Sequence, residues 1–164
     1  MSKIYFIISL LAIWGVALLG LACAGNSAAQ TISFQVNPIN ELSVSGNPGT
    51  LTVQTSTAGS DPNEVSDSST AYDLTTNATN KKIIGQINSD MPTYTNLKIN
   101  MVAPSGASSQ GDQILSTSPT NLVTGIGKKK AQDLSITYKF SAGVEAGIVN
   151  STQRTVTLTV LEGN

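Results

Sequence analysis

Any chemistry this chain performs would have to run without imidazole. The 164-residue sequence contains no histidine and a single cysteine, Cys23. What remains for catalysis is a Ser/Lys nucleophile pair, or two carboxylates acting as acid and base. Serine is abundant, but no Gly-x-Ser-x-Gly nucleophile elbow occurs. The ten acidic residues stand singly in turns and at the ends of apolar runs, so no enzymatic activity is expected. The densest acidic group is Asp61, Glu64, Asp67 and Asp73, in and just after the polar stretch "STAGSDPNEVSDSST". Hard cations take oxygen ligands from such loops, which makes calcium the one cofactor the group would serve. The group does not follow the D-x-[DN]-x-[DN]-G pattern of a calcium loop. Otherwise no cofactor is implied.

Other binding chemistry is equally sparse. Beyond Gln30, Tyr94, in "MPTYTN", is the one aromatic left free to stack on a sugar, because Phe34, Tyr72, Tyr138 and Phe140 fall on inward faces of expected strands. The only charge run is Lys128, Lys129 and Lys130, and three lysines ahead of a strand ordinarily keep an edge or turn soluble. Asn77 and Asn150 form N-x-S/T sequons, which matter only in a eukaryotic secretory pathway.

The elements that must carry these residues read as strands. Beyond Gln30 the sequence is rich in Thr, Ser, Asn, Val, Ile and Gly, and it lacks the Ala/Leu/Glu/Lys runs that favour helices. Apolar residues recur every second position, which places them on one face of a strand. Ile32, Phe34 and Val36 alternate in "TISFQV", Leu51 and Val53 in "TLTVQT", and Tyr72 and Leu74 in "AYDLTTN". The same holds for Leu97, Ile99 and Met101, for Leu134 to Phe140, and for Val156, Leu158 and Val160. Weaker strands are expected at 81 to 88, around Leu122 and Val123, and at Leu42 and Val44. Gly, Pro, Asn and Asp clusters punctuate these runs. Residues 56 to 70 form the one long polar loop, and "VEAGIV" at 144 to 149 is too short for a stable helix. The expectation is one all-β domain, an antiparallel β-sandwich of seven to nine strands.

The first 29 residues read differently. Lys3 is followed by an almost wholly apolar stretch from Ile4 to Ala24 and by the small residues Ser27-Ala28-Ala29. That is the pattern of a secretory signal, with cleavage ahead of Gln30. Residues 1–29 are therefore read as signal peptide and 30–164 as the β-domain. Two other readings stay open. The apolar stretch is long enough to span a bilayer of roughly 30 Å as an anchor. Cys23, in "LLGLACAG", partly fits the acylated cysteine of a bacterial lipoprotein, although Gly20 stands where Leu would be expected. The membrane is reached only through this signal or lipid anchor. Removing Lys3 from the nine basic residues leaves eight against ten acidic ones, a net of about −2, which gives no footprint for nucleic acid.

The C-terminal "LSITYKFSAGVEAGIVNSTQRTVTLTVLEG" is a strand ending in an aromatic, a short Ala/Gly-rich connection and a Thr/Val strand. It resembles the last hairpin of bacterial secreted immunoglobulin-like sandwiches, as found in fimbrial and pilus subunits and spore-coat-U-like proteins. The cysteine pair common in chaperone-assembled pilins is absent. The resemblance implies a non-catalytic extracellular β-domain, secreted or on a bacterial cell surface, whose partners are copies of itself or other surface proteins. A strand within two residues of the expected mature N-terminus then has two uses. Ile32, Phe34 and Val36 either open the domain's own sheet or complete a neighbour's by β-strand addition, with Asn37-Pro38 as the hinge. The alternative function is a secreted module binding calcium or carbohydrate through Asp61 to Asp73 and Tyr94.

Overall fold

A computed structural model describes residues 26–163. The chain divides into two compact units, Met1–Gln35 and Val36–Asn164. The described part of the first unit, residues 26–35, contains no strand or helix and is exposed throughout. Cys23 and most of the expected signal lie outside the described residues.

The second unit is all-β. Its strands are β1 (Asn40–Val44), β2 (Val65–Thr76), β3 (Lys81–Ile87), β4 (Thr95–Met101), β5 (Ser108–Ser109), β6 (Gln113–Ile114), β7 (Thr120–Ile126), β8 (Lys129–Ala142) and β9 (Val156–Glu162). They form two sheets, one in the order β1-β2-β8-β4-β6 and one in the order β5-β7-β3-β9. Every pairing is antiparallel. "VEAGIV" contributes only a 3₁₀ turn, Val144–Ala146. The expected β-sandwich is therefore the fold, with nine strands among the described residues.

Alternation builds the core. On β3 the residues Lys81, Ile83, Gly85 and Ile87 are buried and those between them half-buried. Tyr72 and Leu74 of β2, Ile99 and Met101 of β4, and Ile136 and Tyr138 of β8 supply one layer. Ile83, Ile87, Leu122, Val123 and Ile126 supply the other, and Leu115 completes the cluster. Gly85 is required by this packing: a Cβ there would lie 2.7 Å from Leu122 Cδ1 and 3.3 Å from Leu158 Cδ2. The buried Tyr72 hydroxyl donates to the Val102 carbonyl at 2.6 Å, and burial pushes its pKa up to about 12.

Several elements differ from the sequence reading. "TISFQV" and "TLTVQT" alternate correctly but join no ladder, and periodicity alone cannot supply the hydrogen-bonded neighbour that makes an extended segment a strand. Conversely, the second half of the expected polar loop is the start of β2. Val65, Ser66 and Asp67 pair with Phe140, Lys139 and Tyr138 of the long β8. A register break follows between Asp67 and Thr70, where Asp67 Oδ1 accepts hydrogen bonds from the Ser69 hydroxyl at 2.6 Å and the Ser69 N–H at 3.0 Å. The two-residue strands β5 and β6 are too short to leave a periodic signal.

Candidate functional site

The two long sides of the sandwich are finished differently. On one side the chain crosses between the sheets just after β6. The Leu115 N–H bonds the Leu97 carbonyl of β4, and the Ser116 carbonyl accepts from the Ile87 N–H of β3, both at 2.9 Å. Leu115 and Leu122 are buried beneath this crossing. Asp112 reinforces it from outside, accepting from Lys139 Nζ at 2.6 Å and Asn100 Nδ2 at 2.8 Å. These hydrogen bonds, that from Lys139 foremost, hold the Asp112 carboxyl below the ordinary carboxylate range.

No such crossing closes the opposite side, formed by β1 and β9. β9 pairs with β3 and with no other strand among the described residues. Its inward residues Val156, Leu158 and Val160 lie opposite Ile87, Gly85 and Ile83. Those β3 residues are fully buried, whereas the three on β9 are only partly buried although they pack on the same core. β1 repeats the contrast: Leu42 is half-exposed while its register partner Leu74 is 1% exposed. Leu51 also packs on the core and stays half-buried, and Val53 two residues on is half-buried too, in a stretch outside any strand. The outer residues of β9 between its apolar row, Thr157 and Thr159, are exposed and uncharged. The Lys81 ammonium, nearly buried, is neutralised by Glu162 at the end of β9. Among the described residues β1 and β9 approach each other across this seam without hydrogen-bonded pairing, which leaves an unpaired β9 edge and a partly covered apolar row.

The candidate assembly residues are strongly exposed: Ile32 73%, Phe34 93% and Val36 77%. Asn77 fixes the backbone immediately after them. Its Nδ2 donates to the Asn37 carbonyl, its Oδ1 accepts from the Ile39 N–H, both at 2.8 Å, and its own N–H bonds the Ile39 carbonyl at 3.3 Å. The expected hinge at Asn37-Pro38 is thus a held point, because an amide side chain bonds the backbone on either side of the proline. The sequon reading of Asn77 loses ground for the same reason, since its amide is engaged. The backbone-holding role of Asn77 is not visible in "NATN", which suggested a turn and a sequon.

The four acidic residues are not brought together, and among the described residues no group of three or more metal-ligating side chains forms. Asp61 accepts from the Val144 N–H at 3.1 Å, and Glu64 pairs with Lys98 at 2.7 Å. Asp67 is held at the β2 register break, its carboxyl lowered by the Ser69 hydrogen bonds, and Asp73 accepts from the Asp133 N–H at 2.8 Å. Each carboxylate has its own partner: Asp67 and Asp73 are spread along β2, and Asp61 and Glu64 precede that strand. Tyr94 is exposed with a left-handed backbone, φ 60°, and its carbonyl accepts from the Gly143 N–H at 2.9 Å. Lys129 and Lys130 open β8 opposite Thr76 and Thr75. No protein-family model, curated protein or solved structure matches the chain.

Proposed function

We propose that this protein is a non-catalytic structural or adhesive component of a bacterial cell surface or extracellular filament. In this reading residues 1–29 direct export, the sandwich is immunoglobulin-like, and subunits join by addition of the N-terminal segment to a neighbour's sheet. The observation that carries the reading is the exposure of Ile32, Phe34 and Val36 in strand alternation outside any strand. Isolated exposed apolar residues are ordinary, but three alternating ones on an unladdered segment match the demands of strand addition, in which the backbone supplies hydrogen bonds and alternate side chains fill pockets. Full burial of such side chains contributes about 1.5–3 kcal/mol each. Part of that gain is offset by the cost of ordering the segment and of association.

The test is size-exclusion chromatography with negative-stain electron microscopy on a chain beginning at Gln30, beside one beginning at Asn37. The second retains all nine strands. The expected outcome is filaments from the longer chain and a folded monomer from the shorter. A longer chain that remains monomeric at high concentration would remove the assembly reading.

A further inference from the structure

The sandwich has two edges long enough to accept an added strand, β1 and β9, since β5 and β6 are two residues each. We propose that the edge of β9 in a second copy of this chain is the acceptor for Thr31–Val36, which enters the seam antiparallel to β9 in a head-to-tail contact. The inference rests on the reading above that the N-terminal segment adds to a neighbour's sheet.

Spacing and charge favour β9 over β1. Three inward apolar residues two apart, Val156, Leu158 and Val160, are half-covered on β9, and the donor offers three at the same spacing, Ile32, Phe34 and Val36. The residues between them, Ser33 and Gln35 on one strand and Thr157 and Thr159 on the other, carry no charge. On β1 only Leu42 turns inward, and Glu41 adjoins it. An apolar row that meets an apolar row of equal spacing completes the sheet with side chains on the core face.

The ends of the sandwich set the direction. Val36 leaves beside Asn77, at the end where β2 finishes and β3 begins; β9 finishes there too, with Glu162 opposite Lys81. β9 starts at the far end, where Val156 lies opposite Ile87. In the proposed contact the segment extends from the Asn77 end of one copy to the Val156 end of the next. Continuing along that edge it runs antiparallel to β9, with Val36 near Val156 and Ile32 near Val160. Folding back onto its own β9 would run it parallel, the slightly less stable pairing. It would also require reversal at Asn37, which Pro38 biases to extended backbone.

Disulfide trapping in the Cys23→Ser full chain, purified from the exported fraction, tests both edge and direction. Ser33→Cys is combined in turn with Thr159→Cys, with Thr157→Cys, or with Ser43→Cys on β1, and oxidised mildly. All four positions are exposed and off the inward apolar rows. The expected result is a ladder of covalent multimers from a β9 pair, strongest with Thr159→Cys and at least tenfold above that from Ser43→Cys. Filaments by electron microscopy with a ladder only through Ser43→Cys would overturn the edge assignment and leave the assembly reading standing. A cross-linked monomer with shifted mobility would place the segment on its own sheet and overturn the head-to-tail contact. Neither filaments nor any ladder would remove the assembly reading and this inference together.

Discussion

The side of the sandwich closed by Leu115 and the side left open at β9 are built from the same kind of sequence, Thr- and Ser-spaced apolar residues, yet they end in different states. On the closed side the chain bonds both sheets within two residues, through the Leu115 N–H and the Ser116 carbonyl, so Leu122 beneath is 1% exposed. On the β9 side Leu158, which flanks Gly85 as Leu122 does, is only partly buried. The hydrophobic content of a strand does not decide how well it is buried; the presence of a covering segment does. An edge with unpaired backbone groups is a template for another strand, and proteins ordinarily blunt it with charge, proline or a bulge. β9 carries none of these along Val156–Leu161.

The sharpest way to break this comparison is to truncate one leucine on each side. Leu122→Ala removes a fully buried side chain whose neighbours are fixed by the crossing, and should cost about 2–5 kcal/mol in urea unfolding of the monomer. Leu158→Ala should cost about 1–2 kcal/mol, because part of that side chain already touches water and leaves less of a cavity. Equal losses would mean that the seam is covered in solution. Repeating the pair on assembled material should raise the Leu158→Ala cost toward that of Leu122→Ala.

Tyr72 offers a smaller effect, deep between the two sides. Its raised pKa means that stability is fully present below the ordinary tyrosine value near 10 and is lost as pH rises toward about 12. Tyr72→Phe should cost about 1 kcal/mol at neutral pH, through the hydrogen bond to Val102. The variant should also flatten the alkaline limb of a melting-temperature profile; an unchanged limb would show that another group controls it.

The smallest effect tests the tether outside the closed side. The folded-state pKa of Asp112 lies below its unfolded value, so its contribution is present above the ordinary carboxylate range near pH 4 and fades as pH falls through the depressed value. Asp112→Asn should therefore flatten the acid limb of the melting profile slightly, with the difference shrinking in high salt because the pair with Lys139 is exposed. A difference that persists in high salt would argue for hydrogen-bond geometry over charge.

Much of the core was legible residue by residue. Tyr72 and Leu74, Ile99 and Met101, and Ile136 and Tyr138 were identified by alternation alone, because side chains two apart must share a face and the apolar face must leave water. The same rule placed Leu51 correctly against the core while wrongly making a strand of Leu51 and Val53. The four acidic residues illustrate the converse error. Asp61 to Asp73 are close in sequence, but Asp67 and Asp73 are carried apart along β2 at about 3.3 Å per residue. Asp61 and Glu64 precede the strand and meet Val144 and Lys98, so closeness along the chain did not become a cluster.

The sequence by itself determined the class of fold, the rows of side chains that turn inward, and the apolar alternation of Ile32, Phe34 and Val36. Only the tertiary structure decided which rows are covered. Strand pairing joins residues far apart in the chain, and a segment such as Thr31–Val36 contains nothing in its own letters that says whether a partner edge is within reach. That β9 is the edge of its sheet among the described residues, that Leu115 seals the other side, and that Asn77 holds the backbone at Asn37 and Ile39 are consequences of long-range contacts. Periodicity cannot report them, because it describes the face a residue takes and not the neighbour it meets.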